Sequence, residues 1–226
     1  MKVSIIVPVH NESKTVVAVL KKLNALKFDF EKEIIVVDDG SSDSSNRLIK
    51  NYIKNKKTFL LVEKKAEGKG SAVIKGIKYS KGDIIAIQDA DWEYNIFDLK
   101  KLIDFVSEGE LVVYGSRFLG GSPRFSIFYF GNVFLSFFTS LLYFRKISDM
   151  ETCYKVFKKE VLEGITLKSK KFEIEPEITS KILKKGIKIK EVPVGYNPRK
   201  KLDGKKIGFS DGFSAFWYLL KYRFIN

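Results

Sequence analysis

Asp83-Ile84-Ile85-Ala86-Ile87-Gln88, running straight into Asp89-Ala90-Asp91, is the stretch on which the fold turns. A short apolar run between Gly82 and a polar break predicts a central strand. In open α/β sheets ligands bind beyond the carboxyl ends of the strands. Two carboxylates one residue apart at such an edge can share a hard divalent cation, which takes its remaining oxygens from water and substrate phosphate. The plainer role for Asp89 and Asp91 is to cap the helix beginning near Asn95 or Ile96.

Outward from this stretch, strands and helices alternate. Val3 to Val7 is rich in β-branched residues, as suits a strand buried on both faces, and Pro8 ends it. Asn11, Glu12 and Ser13 supply helix-start chemistry, and Val16, Val19, Leu20 and Leu23 keep a helical period to about Leu26. Ile34 to Val37 is a second buried strand, followed by Asp38-Asp39-Gly40-Ser41-Ser42-Asp43 at the same sheet edge. A helix near Ser45 to Lys54 and a strand near Phe59 to Val62 follow.

Glu67-Gly68-Lys69-Gly70-Ser71 opens a helix reaching about Ser80, where glycines either admit a phosphate to the backbone or serve as caps. After Asp91 come a helix from Ile96 to Ser107, a strand from Glu110 to Tyr114, and a loop carrying Gly115-Ser116-Arg117. The alternation predicts an α/β fold, a mostly parallel sheet with helices on both faces. No linker divides the chain, so residues 1–226 read as one domain.

The composition is that of a folded protein, 45% hydrophobic and 30% charged over 226 residues. One cysteine, Cys153, excludes an intramolecular disulfide, and one histidine, His10, leaves no cluster for structural zinc. Pro8 and His10 interrupt the first apolar run too soon for an export signal. The net charge is +14, which suits nucleic acid, an anionic membrane or phosphorylated substrates. No nucleic-acid recognition motif accompanies it.

Residues 125–144 carry no charge between Arg124 and Arg145, the length of a membrane span. Asn132, Ser136, Thr139 and Ser140 nevertheless form a polar stripe on this helix, with Phe130, Phe134, Phe137, Phe138 and Leu141 on its other faces. A two-faced helix suits a membrane surface or the lining of a site better than a place in the buried core, and either better than a crossing. Beyond it, Asp149 to Phe157 reads as a polar loop entering a strand, and Phe172 to Lys185 as a helix interrupted early by Pro176. Ile187 to Val194 is a strand, and Tyr196-Asn197-Pro198-Arg199 begins a basic loop ending at Gly204-Lys205-Lys206-Ile207. An amphipathic helix follows over about 209–224, with Phe213, Phe216 and Trp217 on its apolar stripe.

Together, Ile5-Ile6-Val7-Pro8 with Asn11-Glu12, the Asp38–Asp43 run, Gly68-Lys69-Gly70, Gln88-Asp89-Ala90-Asp91, Gly115-Ser116-Arg117-Phe118 and Gly204-Lys205-Lys206-Ile207 resemble family 2 glycosyltransferases of the GT-A fold. Within that family they are similar to the dolichol-phosphate mannose synthase-like branch. The resemblance implies a Rossmann-like GT-A domain and a UDP- or GDP-sugar donor, with Pro8, Val9, Glu12 and Asp39 around base and ribose and Lys69, Asp89 and Ala90 beside them. It implies Mg²⁺ or Mn²⁺ on Asp89 and Asp91, with Glu93 where relatives supply glutamine as a third ligand. Arg117, Arg199 and Lys205 match phosphate-neutralising positions, and Asp89, Asp91 and Arg117 the catalytic centre.

The expected activity is inverting, metal-dependent transfer of a sugar to a polyprenyl phosphate by an enzyme peripheral on the cytoplasmic membrane face. Many such relatives continue into transmembrane helices, whereas this chain stops at Asn226. A hydroxyl acceptor in polysaccharide or glycolipid synthesis is the alternative. It would need a general base, for which the chain offers Asp149 or Glu151. A non-enzymatic module binding anionic lipid or nucleic acid is the alternative of another class, and nucleic acid is not the expected partner.

Overall fold

The computed structural model describes residues 1–121, 127–199 and 208–225. Strands β1 (Lys2–Val9), β2 (Glu31–Asp39), β3 (Phe59–Lys64), β4 (Ile84–Ile87), β5 (Val112–Ser116), β6 (Lys155–Lys158) and β7 (Lys190–Pro193) form one sheet in the order β3-β2-β1-β4-β6-β5-β7. Apolar residues point both ways from β1, so both faces of the sheet must be covered. Ile5, Val7 and Val9 join one core with helices α1 (Val16–Ala25), α2 (Ser45–Ile53) and α4 (Ile96–Ser107). Ile6 faces the other, built from α3 (Lys69–Tyr79), α5 (Ile127–Tyr143), α6 (Ile174–Lys184) and α7 (Phe209–Phe224).

The chain leaves β1 toward β2 and β3, then returns to place β4 on the other side of β1. That reversal opens a crevice at the carboxyl ends of β1 and β4, where doubly wound sheets bind ligands. β6 runs antiparallel to β4 and β5, while β7 is parallel to β5. Because β6 runs against its neighbours, its amino-terminal end lies where β4 and β5 finish. The loop from Asp149 to Tyr154 is thereby delivered to the crevice.

Several sequence expectations shift. Helix α1 begins at Val16, and its N-cap Thr15 makes no side-chain cap bond. Asn11 instead takes a left-handed backbone (φ 52°), which asparagine tolerates, and its Oδ1 accepts from Ser42 N at 2.8 Å and Asp43 N at 3.3 Å. The loops after β1 and β2 are therefore tied together. Strand β5 starts two residues later than expected, since Glu110 and Leu111 precede it, and β7 is shorter than 187–194. Pro176 does not interrupt α6, because it falls in the first turn, where a missing N–H costs nothing.

The polar stripe of α5 faces inward. Ser136 and Thr139 are buried, the Ser136 hydroxyl accepts from Met150 N at 3.0 Å, and that of Ser140 from Ile147 N at 3.0 Å. Phe137, by contrast, is 65% exposed, with Phe130, Phe134 and Leu141 also outside. On α7, which packs beside α5 through Phe138 and Phe216 with ring centroids 4.5 Å apart, Phe213 and Trp217 are likewise exposed. Among the described residues no helix is long and apolar enough to cross a membrane.

Candidate active site

A cavity of about 650 Å³ occupies the crevice, with Pro8, Asp39, Asp91, Arg117, Glu151 and Arg199 in its lining. Val9, Glu12, Lys69, Asp89, Ala90 and Glu93 line it too. Strand ends deliver most of them: β1 supplies Pro8 and Val9, β2 Asp39, and the turn after β4 the residues from Asp89 to Glu93. Of the site residues expected from sequence, Lys205 lies outside the described residues, and Arg124, expected to flank the membrane-facing helix, lies outside them too. Asp149 sits behind the cavity wall.

Asp91 is the most strongly perturbed acid at this edge. Burial, with the Asp89 and Glu93 carboxylates nearby, pushes its carboxyl up to about 7 against the pull of Arg199. The Arg199 guanidinium lies between three acids. Its Nη2 donates to Asp91 Oδ2 at 2.9 Å and to Glu12 Oε1 at 3.2 Å, its Nη1 to Glu12 Oε2 at 3.0 Å, and its Nε lies 3.6 Å from Glu93 Oε1. Asp89 faces Lys69, whose Nζ is 2.9 Å from its carboxylate and 3.0 Å from Glu175 Oε1. Burial works against the Lys69 charge, but Asp89 and Glu175 hold its pKa well above the ordinary value.

The donor set is hard oxygen throughout and suits Mg²⁺ or Mn²⁺. Among the described residues no group of three or more acidic, histidine or cysteine side chains is arranged to hold a metal unaided, so phosphate and water oxygens would have to complete the shell. Glu93, the expected third ligand, is engaged otherwise. Its Oε1 accepts from Arg199 N at 2.8 Å and its Oε2 from the Tyr196 hydroxyl at 2.9 Å. Together with Asn197 N donating to Glu93 O at 2.7 Å, these bonds clamp the segment after β7 onto the turn after β4.

Asp39 also has a structural task. Its Oδ1 accepts from Glu67 N at 3.0 Å and from Lys64, and its Oδ2 from Gly68 N at 2.7 Å. A carboxylate offers about four acceptor positions, so little capacity is left for a nucleoside. Gly68 and Gly70 are explained by packing. Gly68 takes φ 114°, and a Cβ there would lie 2.7 Å from Lys170 O. A Cβ on Gly70 would lie 2.3 Å from Ser169 O, where Gly70 N donates to Lys171 O at 3.1 Å. The amide is spent on the protein itself, so of the two roles open to these glycines Gly70 fits the structural one.

Across the cavity, Arg117 is fixed by Asp149. Its Nε and Nη2 donate to the two carboxylate oxygens at 2.7 Å each, and its backbone N donates to Oδ2 at 2.9 Å. Burial opposes the Arg117 charge, yet Asp149 holds its pKa well above the ordinary value. Asp149 is fully buried, which corrects its expected place among the general bases: a carboxylate enclosed on a guanidinium reaches no acceptor. Glu151 differs, since its Oε1 is buried with no hydrogen-bond partner. Burial, aided by Glu175 and Asp149 and opposed by Lys155 and Arg117, pushes its carboxyl up to about 7.

Sequence reasoning missed Glu175, Lys155 and Tyr196. Lys155 is fully buried and pairs with Glu175, so Glu175 joins it to Lys69. A lysine opening an otherwise apolar strand was the available signal. Tyr196 carries Arg117 at 5.1 Å from its ring centre and packs on Tyr94 at 5.0 Å. Nothing local in Gly-Tyr-Asn-Pro announces that contact.

The sheet is doubly wound, with paired aspartates at its reversal point and a fixed arginine lining the same cavity, an arrangement that fits the GT-A fold. Residues 4–166 match the family described as Glycosyl transferase family 2, and the chain belongs to that family. The dolichol-phosphate mannosyltransferase of Pyrococcus furiosus is 30% identical over 216 residues, covering 92% of this chain and 61% of the relative. The chain thus spans about three fifths of that relative's length. A dolichyl-phosphate beta-glucosyltransferase of Dictyostelium discoideum is 30% identical over 235 residues, covering 94% of this chain and 69% of the relative. Among solved structures, glucosyl-3-phosphoglycerate synthase from Mycobacterium tuberculosis in complex with UDP matches with a TM-score of 0.78 at 17% identity, over 100% of this chain and 81% of that one. The same enzyme with Mn²⁺, UDP and phosphoglyceric acid matches with a TM-score of 0.74 at 17% identity, over 100% and 79%. At that identity the likeness establishes the fold.

Proposed function

We propose that this chain transfers a sugar, with inversion, from a nucleotide-sugar to a polyprenyl phosphate at the cytoplasmic face of a membrane. One observation carries the proposal: the same cavity is lined by the acidic Asp89–Asp91 edge, by Arg117 and by Asp211 of α7, the helix whose outer face shows Phe213 and Trp217. Donor diphosphate, acceptor phosphate and lipid would then meet at one opening. The names of the P. furiosus and D. discoideum relatives support a lipid phosphate acceptor. UDP in the M. tuberculosis complexes makes uracil the first base to test and guanine the second.

In this reaction an acceptor phosphate oxygen attacks the anomeric carbon, the bond from that carbon to the diphosphate oxygen breaks, and its electron pair leaves with the nucleoside diphosphate. A phosphate monoester has its second pKa near about 6, so it is its own nucleophile. Asp89 and Asp91 would hold Mg²⁺ or Mn²⁺, which when bound supplies positive charge to the leaving diphosphate. Arg117, pre-oriented by Asp149, would neutralise the acceptor or donor phosphate with a fixed fork of donors. Pro8, Val9 and Ala90 would border the nucleoside, and Glu12 would accept from it.

The inverted polarity of α5 supports membrane contact. Ser136, Thr139 and Ser140 are satisfied inside the protein, while aromatic rings face out on helices whose carboxyl-terminal ends carry Arg145, Lys221 and Arg223 in sequence, a pairing of apolar burial with attraction to anionic headgroups. A second acceptor class has its own observation, the unpartnered Glu151 Oε1, which fits a base for a hydroxyl nucleophile. The experiment is a panel of UDP- and GDP-sugars with Mn²⁺ and either polyprenyl phosphate or a glycolipid alcohol. Turnover with the phosphate acceptor, lost in chelator, is the expected result; turnover with the alcohol alone would transfer the assignment to the Glu151 chemistry.

A further inference from the structure

The carboxylates proposed to receive a divalent cation already hold two cations of the chain itself. Arg199 binds Asp91 at 2.9 Å and Glu12 at 3.0 and 3.2 Å, and Lys69 binds Asp89 at 2.9 Å. The two differ in how firmly they are held. Lys69 is shared with Glu175 at 3.0 Å and sits on the framework of α3 and α6. Arg199 follows β7 with its backbone N tied to Glu93 at 2.8 Å, but its side-chain Nε is buried without a hydrogen-bond partner, 3.6 Å from Glu93 Oε1. It is therefore incompletely satisfied where it lies.

We infer that Arg199 is an exchangeable internal cation, holding Asp91 and Glu12 while the site is without donor and passing to the donor's diphosphate when donor and metal enter together. A guanidinium presents planar paired donors that match carboxylate and phosphate oxygens alike, so the transfer replaces one set of charge-assisted bonds by another. Glu12 is released at the same step, which frees it for the nucleoside. Metal alone has to displace Arg199 from Asp91 with nothing to receive the guanidinium. Metal and nucleoside diphosphate together supply that receiver.

Positive coupling between metal and diphosphate follows, and it resides in Arg199. Coupling of this kind typically amounts to about 5- to 150-fold in affinity. Arg199→Met keeps the aliphatic stem and removes the charge, which leaves Asp91 and Glu12 short of positive charge and open to an added cation.

The exchange rests on the proposed role of Asp91 as a cation ligand, and the test separates the two. Mn²⁺ binding is measured by electron paramagnetic resonance, without nucleotide and with UDP or GDP, for the wild type, Arg199→Met, Arg199→Lys and Asp91→Asn, with thermal melts confirming the fold. The expected result is that Arg199→Met binds Mn²⁺ alone about tenfold tighter or more than the wild type, loses most of the enhancement by diphosphate, and that Arg199→Lys falls between. Unchanged or weaker nucleotide-free Mn²⁺ binding in Arg199→Met, with diphosphate-enhanced binding intact in the wild type, overturns the exchange alone. Absence of Mn²⁺ binding in the wild type even with UDP or GDP, or full binding in Asp91→Asn, overturns the metal assignment and the exchange with it.

Discussion

Arg117 and Asp149, 32 residues apart in sequence, form a paired-donor contact of two 2.7 Å bonds in which the carboxylate is fully buried. The backbone N–H of Arg117 completes the contact at 2.9 Å, so the loop after β5 and the loop before β6 are held as one unit. Breaking such a buried pair by removing one partner costs about 3–5 kcal/mol. Asp149→Ala is expected to lose that much stability in denaturant titration. Asp149→Asn, which keeps the shape, is expected to lower kcat by about 10²-fold through misplacement of Arg117. A variant of near-normal kcat would show that Arg117 needs no positioning.

Asp39 offers a sharper contrast. If it served chiefly as a nucleoside ligand, Asp39→Ala would weaken donor binding and leave the fold alone. In the structure its carboxylate holds Lys64, itself only 7% exposed, and the N–H groups of Glu67 and Gly68. Asp39→Ala is therefore expected to destabilise the protein by about 3 kcal/mol or more, with donor affinity falling as a consequence. Denaturant unfolding read beside donor titration distinguishes the two.

Gly70 allows a test in which two accounts differ in sign. Alanine is favoured over glycine in a helix by about 1 kcal/mol, so Gly70→Ala would raise the melting temperature if the position were simply helical. A Cβ there would meet Ser169 O at 2.3 Å and Lys171 O at 2.8 Å, both backbone atoms with little room to yield. Gly70→Ala is expected to destabilise by about 1–3 kcal/mol, seen as a lowered melting temperature.

Much of this architecture is legible in the sequence, for local reasons. The helix over Ile96–Ser107 falls where its apolar period and Asn95 place it, with Asn95 Oδ1 accepting from Phe97 N at 3.2 Å. The strand before Asp89 follows from its apolar run and its bounding glycine. The bounds of the edge strand β7 were less legible, because its four residues carry Lys190, Glu191 and Pro193, and pairing with β5 decides where it starts and stops. The roles of Glu93 and Arg199 depend on a contact across 106 residues, and no periodicity reports such a contact. The α5 stripe was visible as a stripe, but its direction depends on what lies behind it.

The outward rings of α5 and α7 give a membrane prediction. Phe137 is 65% and Trp217 64% exposed, so Phe137→Ser and Trp217→Ser should leave folding stability within about 0.5 kcal/mol. Burying an aromatic side chain is worth about 1.5–3 kcal/mol, so each change should weaken partitioning onto anionic liposomes by about tenfold or more. Flotation in low and high salt measures both the apolar and the electrostatic part. Equal flotation of wild type and the double variant would assign these rings to a protein partner.

The central claim is that the sugar ends on a lipid phosphate with its anomeric configuration inverted. The most direct measurement supplies purified protein with Mn²⁺, the nucleotide-sugar that turns over, and polyprenyl phosphate in anionic liposomes, then determines the linkage and anomer of the lipid product by mass spectrometry and NMR. The account predicts one sugar joined through a phosphodiester, of configuration opposite to the donor's, with none formed by Asp91→Asn. A product of retained configuration, or a sugar transferred only to a hydroxyl group, would contradict it.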